Sequence, residues 1–168
     1  FMGDYKGSVT KQFRIKAFDI SKATVSAIAD KTYTGSAIKP VVTVKIGRTV
    51  INPKEYTVEY SNNVKPGVAS VTITGLNNFY GTKKVTFNIL PAKVKNLAAS
   101  GETTTSLKLS WSSSAYAQGY EVYRYDTGKK TYVKVATVTG TSSNITGLAA
   151  GTDYKFAVSA YVKSSGKT

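Results

Sequence analysis

Histidine and cysteine are both absent from the 168 residues. Without cysteine there are no disulfides and no thiol nucleophile, and without either residue the usual zinc, copper and iron ligand sets cannot be assembled. Histidine takes with it the commonest general base and every Ser-His or Cys-His arrangement. Carboxylates are also scarce: 9 Asp plus Glu stand against 23 Lys plus Arg, a formal net charge of +14. No apolar run reaches the roughly 18 residues that a membrane span needs, so no membrane insertion is expected in this segment.

The few carboxylates do not form a recognisable acid–base pair. A glycosidase needs two of them facing each other across a cleft. Glu55 and Glu59 read as positions i and i+4 of one strand, about 13 Å apart by strand rise, too far for either glycosidase geometry. Asp126 falls in a Tyr-Asp-Thr-Gly turn and Asp153 at a strand entry, both common structural uses of the residue. No D-x-[DN]-x-[DN]-G calcium loop occurs. The sequence therefore predicts no catalytic residue, no metal site and no cofactor.

The positive charge is spread along the chain, with 13 basic and 5 acidic residues up to Leu90 and 10 and 4 beyond it. Nucleic-acid binders of β architecture concentrate basic and aromatic residues on one face or loop set. Here the adjacent basic pairs are Lys83-Lys84 and Lys129-Lys130, both beside turns. This reads as a solvated basic surface with no specific nucleic-acid partner, though its long-range field would favour anionic polymers of a cell wall or mucin.

What the chain does contain is a repeated segment. Residues 4–15, D-Y-K-G-S-V-T-K-Q-F-R-I, align without a gap on residues 78–89, N-F-Y-G-T-K-K-V-T-F-N-I. An aromatic precedes Gly7 or Gly81, followed by Phe13 or Phe87 and then Ile15 or Ile89, two apart and so on one face of a strand. Such self-similarity marks an array of small modules. Residues 1–17 are accordingly expected to be the C-terminal strand of a preceding repeat.

Strand signals dominate the rest. The run Val41–Ile46, Tyr56-Thr-Val-Glu-Tyr60, Ala69–Thr74 and Lys84–Ile89 have a period of two or are β-branched. Gly47, Asn52-Pro53, Ser61-Asn62-Asn63, Pro66-Gly67 and Gly75 punctuate them. No stretch has a sustained helical period. Pro91 cannot extend a central ladder, and the pattern changes after it. The expected fold is all-β: one β-sandwich over residues 18–90 and a second over residues 91–168, each large enough for its own core.

In the first of these, Tyr33-Thr-Gly35, Ile38-Lys-Pro40, Val41-Val-Thr-Val44, Glu55–Asn63, Gly67–Gly75 and Asn78-Phe-Tyr-Gly81 occur in order. That string resembles the bacterial immunoglobulin-like repeats of Gram-positive cell-surface proteins. In the second, Leu107-Lys-Leu-Ser-Trp111, Gly119–Arg124, Asn144–Leu148 and Gly151–Tyr161 resemble a fibronectin type III domain. The resemblance implies that Trp111 fills the sandwich centre, that Tyr154 serves as a tyrosine corner with a buried ring and a paired hydroxyl, and that a seventh strand should begin where Ser164–Thr168 stand. An edge left open by its absence would be a liability, and strand addition by Ser8–Lys16 of a neighbouring molecule is one arrangement that would cover it. No Arg-Gly-Asp triplet is present, so integrin recognition does not carry over. Core candidates are Leu109, Trp111, Val122, Leu148, Tyr154, Phe156 and Val158 in the second sandwich, and Val42, Val44, Val58, Ile73, Phe87 and Ile89 in the first.

Tyrosine is the one chemically suggestive excess, with 12 residues, seven of them after Leu90. Exposed tyrosines can stack on sugar rings, and Tyr116, Tyr120, Tyr123 and Tyr125 are the candidate ligand-binding residues. The resemblances imply non-catalytic spacer or scaffold modules of a secreted or cell-wall-associated bacterial protein, whose partners are neighbouring domains of the same chain. The alternative is an adhesin or recognition module for host protein, mucin, glycan or an anionic cell-wall polymer. A contiguous exposed aromatic patch with basic residues at its rim would separate the two.

Overall fold

The computed structural model describes residue 7 and residues 10–163. Among them the chain is all-β, with fifteen strands and two single-turn 3-10 helices, Ile20–Lys22 and Pro53–Glu55. Up to Leu90 the strands are β1 (Phe18–Asp19), β2 (Thr24–Val25), β3 (Lys31–Thr32), β4 (Val44–Ile46), β5 (Thr49–Val50), β6 (Tyr56–Ser61), β7 (Gly67–Gly75), β8 (Phe79–Tyr80) and β9 (Thr82–Leu90). Beyond Pro91 they are β10 (Ala98–Ser100), β11 (Ser106–Ser110), β12 (Gly119–Asp126), β13 (Thr131–Val138), β14 (Ser142–Thr146) and β15 (Phe156–Tyr161).

The main sheet before Pro91 has the order β3-β9-β7-β6, with β9 parallel to β3 and antiparallel to β7. Alternation builds its buried face. Ala69, Val71 and Ile73 of β7 are fully buried beside Phe87 and Ile89 of β9, because successive side chains leave opposite faces of a strand. The sheet β2-β4-β5 supplies Val44 to the same cluster, which also takes Ile20, Val42 and Ile51, with Val58 half-buried against it. Each of the larger aliphatic groups contributes roughly 1.5–3 kcal/mol by leaving water.

The extended run expected from Val41 is shorter than its composition suggests. Residues 36–43 form a strap outside the ladders, and Val41 faces solvent. The strap is held by polar contacts: the Tyr60 hydroxyl donates to the Pro40 carbonyl at 2.6 Å, and Ile38 and Asn63 are joined by bonds of 2.7 and 3.0 Å. Asn63 follows Asn62, which takes a left-handed φ of 55°, a conformation that asparagine tolerates better than most residues.

The two copies of the repeated segment have different environments. Phe87 and Ile89 lie in the core, whereas Phe13 and Ile15 are 76% and 91% exposed and residues 10–17 carry no regular secondary structure. A strand is made by its hydrogen-bonded neighbours, and no ladder includes residues 10–17.

Beyond Pro91 two three-stranded sheets, β10-β11-β14 and β13-β12-β15, enclose a second cluster of Leu109, Trp111, Tyr120, Val122 and Ile145. Leu107, Leu148, Phe156 and Val158 are half-buried against it. Tyr154 is not among the buried residues; its ring is half-buried under the Arg124 guanidinium, 5.7 Å away. The hydroxyl is paired, accepting from the Ala149 N–H at 2.9 Å. β15 bonds to β12 alone, and no strand follows it among the described residues. Residues 164–168, where a seventh strand was expected to begin, lie outside them.

Candidate functional site

The face of β13-β12-β15 turned away from the core is built by parity and register. Tyr120 and Val122 point inward, so Glu121, Tyr123 and Tyr125 point outward. Across the ladder Tyr125 stands opposite Tyr132, and Tyr123 opposite Lys134. An irregularity in the β12–β13 register at Val122/Tyr123 sets this alignment; one extra residue on β13 shifts its parity relative to β12. On the other side, Gly119 pairs with Tyr161 and Tyr123 with Ala157. Tyr123, Tyr125, Tyr132 and Tyr161 thus share one outward face.

Polar contacts organise this face. The Tyr123 hydroxyl donates to Glu121 Oε2 at 2.5 Å, and Lys134 Nζ lies 2.9 Å from Glu121 Oε1. The hydrogen bond from Tyr123, then that from Lys134, holds the Glu121 carboxyl below the usual carboxylate range. The same carboxylate raises the Tyr123 phenol and the Lys134 ammonium above theirs. Tyr125 and Tyr132 meet edge to face with centroids 5.3 Å apart, and Lys155 Nζ lies 5.9 Å from the Tyr125 centroid. Chemically the surface offers aromatic and hydroxyl groups between ammonium groups, with one carboxylate already engaged.

The four tyrosines singled out from the sequence separate into three environments. Tyr123 and Tyr125 belong to the outward face. Tyr120 is 4% exposed, packs on Trp111 with centroids 5.5 Å apart, and accepts the Ser114 N–H at 2.9 Å; its place in the core removes it as a ligand-binding residue. Tyr116 lies in the β11–β12 connection and packs on Tyr33 instead. Sequence reasoning missed Tyr132, Tyr161, Lys134 and Lys155 as companions of Tyr123. The Asp126–Lys129 turn was a usable signal, because a hairpin turn sets register; its Asp126 Oδ1 accepts the Lys129 N–H at 2.9 Å.

The other carboxylates are dispersed. Glu55 closes the second 3-10 turn, and β6 begins at Tyr56, so Glu55 and Glu59 do not share a strand. The alternation of β6 stops one residue short of Glu55, because the Asn52 side chain caps that turn by accepting from the Lys54 N–H at 3.0 Å. Asp19 caps the first 3-10 turn, and its bonds from Ser21 lower its pKa. Among the described residues no three Asp or Glu side chains come together as a cation site, and no helix is long and apolar enough to cross a membrane.

Residues 92–168 match the family model of the fibronectin type III domain. Over 73 residues the chain is 44% identical to chitinase A1 of Niallia circulans, a match that takes in 42% of this chain and 10% of that protein. The chain thus spans about a tenth of the length of that relative. Among solved structures it is similar to FN3tt, with 25% identity over 44% of this chain and 80% of the other at a TM-score of 0.41. It is also similar to a set of titin domains, with 19% identity over 84% and 61% of the two chains at a TM-score of 0.42. Over residues 92–168 the chain is thus similar to the fibronectin type III domain.

Proposed function

We propose that residues 18–90 and 91–168 are non-catalytic spacer modules of a secreted or cell-surface bacterial protein, the first an immunoglobulin-like repeat and the second the fibronectin type III domain. The observation that carries this reading is the match to a short stretch of a much longer chitinase. In that relative the similar stretch is a minor part, about a tenth, of a chitinase. Separate hydrophobic clusters on either side of Pro91 support a beads-on-a-string role, and the basic surface keeps such modules soluble. Their work is to hold a neighbouring domain of the same chain away from an envelope or against a surface, and the location is extracellular.

A second reading is favoured by the outward tyrosine face. Tyr123, Tyr125, Tyr132 and Tyr161, with Lys134 and Lys155 beside them, would form a flat platform for a glycan, mucin or anionic wall polymer. One experiment separates the readings: retention of the chain on insoluble chitin, starch, mucin and purified cell wall, at low and high salt. A spacer passes through all four, or binds only where salt releases it. Salt-resistant retention on one material, lost in a Tyr123→Ala/Tyr132→Ala variant, would replace the spacer reading with recognition.

A further inference from the structure

We propose that Tyr116 is a latch that holds the sandwiches before and after Pro91 in one relative orientation, so that the junction is a fixed elbow and not a free hinge. The inference goes beyond the spacer reading and begins with a backbone anomaly. The Ala117 N–H donates to the Ser114 carbonyl at 3.1 Å, closing a turn with Tyr116 at its third position. There Tyr116 has a φ of 61°, in the left-handed region where turns take glycine or asparagine. The other non-glycine residues with positive φ among those described are Asn62, Asn77, Asn96 and Lys130. A bulky aromatic ring in this conformation persists only where surrounding contacts hold it.

Those contacts lie across the junction. The Tyr116 ring meets Tyr33 edge to face, with centroids 5.4 Å apart and planes at 81°. Lys65 Nζ, from the β6–β7 loop, lies 5.4 Å from the Tyr116 centroid. Both are favourable geometries for an aromatic ring. Burial, with the Tyr116 hydroxyl as the next cause, raises the Tyr33 phenol above the usual tyrosine range. Tyr33 is itself fixed to the end of β9, since its N–H donates to the Leu90 carbonyl at 2.8 Å.

The turn that presents Tyr116 is anchored on its own side as well. Ser114 Oγ donates to the Ala92 carbonyl, next to Pro91, at 2.8 Å, and the Ser114 N–H donates to the buried Tyr120 hydroxyl. A second point of approach lies beyond the end of β15, where Val162 shares a groove of about 210 Å³ with Gly67, Val68 and Leu90. Lys65 of the β6–β7 loop thus approaches Tyr116, and Gly67 and Val68 at the start of β7 face Val162 across this groove. The ring contacts of Tyr116 with Tyr33 and Lys65 restrain rotation about Pro91, whereas small, polar junctions ordinarily leave relative motion free.

The test is residual dipolar coupling on the full chain, comparing the alignment tensors of residues 18–90 and 92–163. The native chain should show one shared tensor. Tyr116→Gly accepts the left-handed backbone without strain and deletes the ring, so each half should keep its amide shifts while the shared tensor is lost. Tyr116→Asn, equally tolerant of positive φ, should behave the same way and serves if the glycine loosens the turn. Separate tensors in the native chain, or a shared tensor that survives both substitutions, would overturn the proposal.

Discussion

Replacing Trp111 with alanine tests whether the C-terminal cluster is an independent folding unit. Trp111 is 6% exposed, lies edge-on to Tyr120, and carries the central volume between the sheets β10-β11-β14 and β13-β12-β15. Removing a buried aromatic ring of this size costs about 3–5 kcal/mol in lost transfer energy and cavity. One term runs the other way. Among the described residues the buried Trp111 Nε1–H has no hydrogen-bond partner, and deleting such a group recovers about 1 kcal/mol. A net loss of ~2–4 kcal/mol follows from these two terms. For a unit of this size, each kcal/mol shifts the melting midpoint by about 4–8 °C. The assay is calorimetry with amide NMR of both halves through the transition. Resonances of residues 92–163 should melt at least about 8 °C earlier, while those of Ile73 and Phe87 keep their native midpoint. Trp111→Phe, which retains an aromatic ring and removes the orphan N–H, should lose clearly less. The reasoning fails if Trp111→Ala costs under about 1 kcal/mol, or if both halves melt together at a lowered temperature.

Gly81 has a φ of 78°, and a Cβ built there would lie 2.7 Å from Asp19 Oδ1. Gly81→Ala should therefore add about 1–2 kcal/mol of left-handed strain and also disturb the Asp19 cap, measured by urea titration of the N-terminal half. Ile73→Ala, at a fully buried position of β7, should cost about 2–5 kcal/mol in the same assay and leave the Trp111 fluorescence transition in place. The Glu121 network should give the outward face a two-sided pH dependence. Because the folded carboxyl is lowered, its stabilisation is present above the unfolded carboxyl pKa and fades as acid titrates through the folded value. Because Tyr123 and Lys134 are raised, theirs is present below their unfolded values and fades as alkali titrates through the folded ones. Glu121→Gln should flatten both limbs of a stability–pH curve, and an unchanged curve would count against the network.

Local pattern carried the fold a long way. The period of two in residues 67–75 and 82–90, the turn residues between strands, and Pro91 at the change of pattern all depend on nearest neighbours, and an all-β chain is legible from them. The same reasoning failed where local pattern is silent. The β-branched residues at 41–43 look like strand but lie in a strap held by Tyr60 and Asn63, more than fifteen residues away. The alternation around Glu55 and Glu59 concealed a 3-10 turn that Asn52 caps.

The sequence by itself determined what chemistry is available: no imidazole, no thiol, few carboxylates, many ammonium groups and many tyrosines. It also determined which residues could share a strand face, since parity is a property of the backbone. Only the tertiary structure decided which tyrosines meet. Tyr120 and Tyr123 are three residues apart, yet one supports Trp111 and the other lies outside beside Lys134; their companions come from strands whose register depends on a bulge. Phe13 and Phe87 occupy equivalent positions in nearly equivalent segments, and one is exposed while the other is buried. Side-chain burial is settled by what packs across from a residue, and that partner is written elsewhere in the chain.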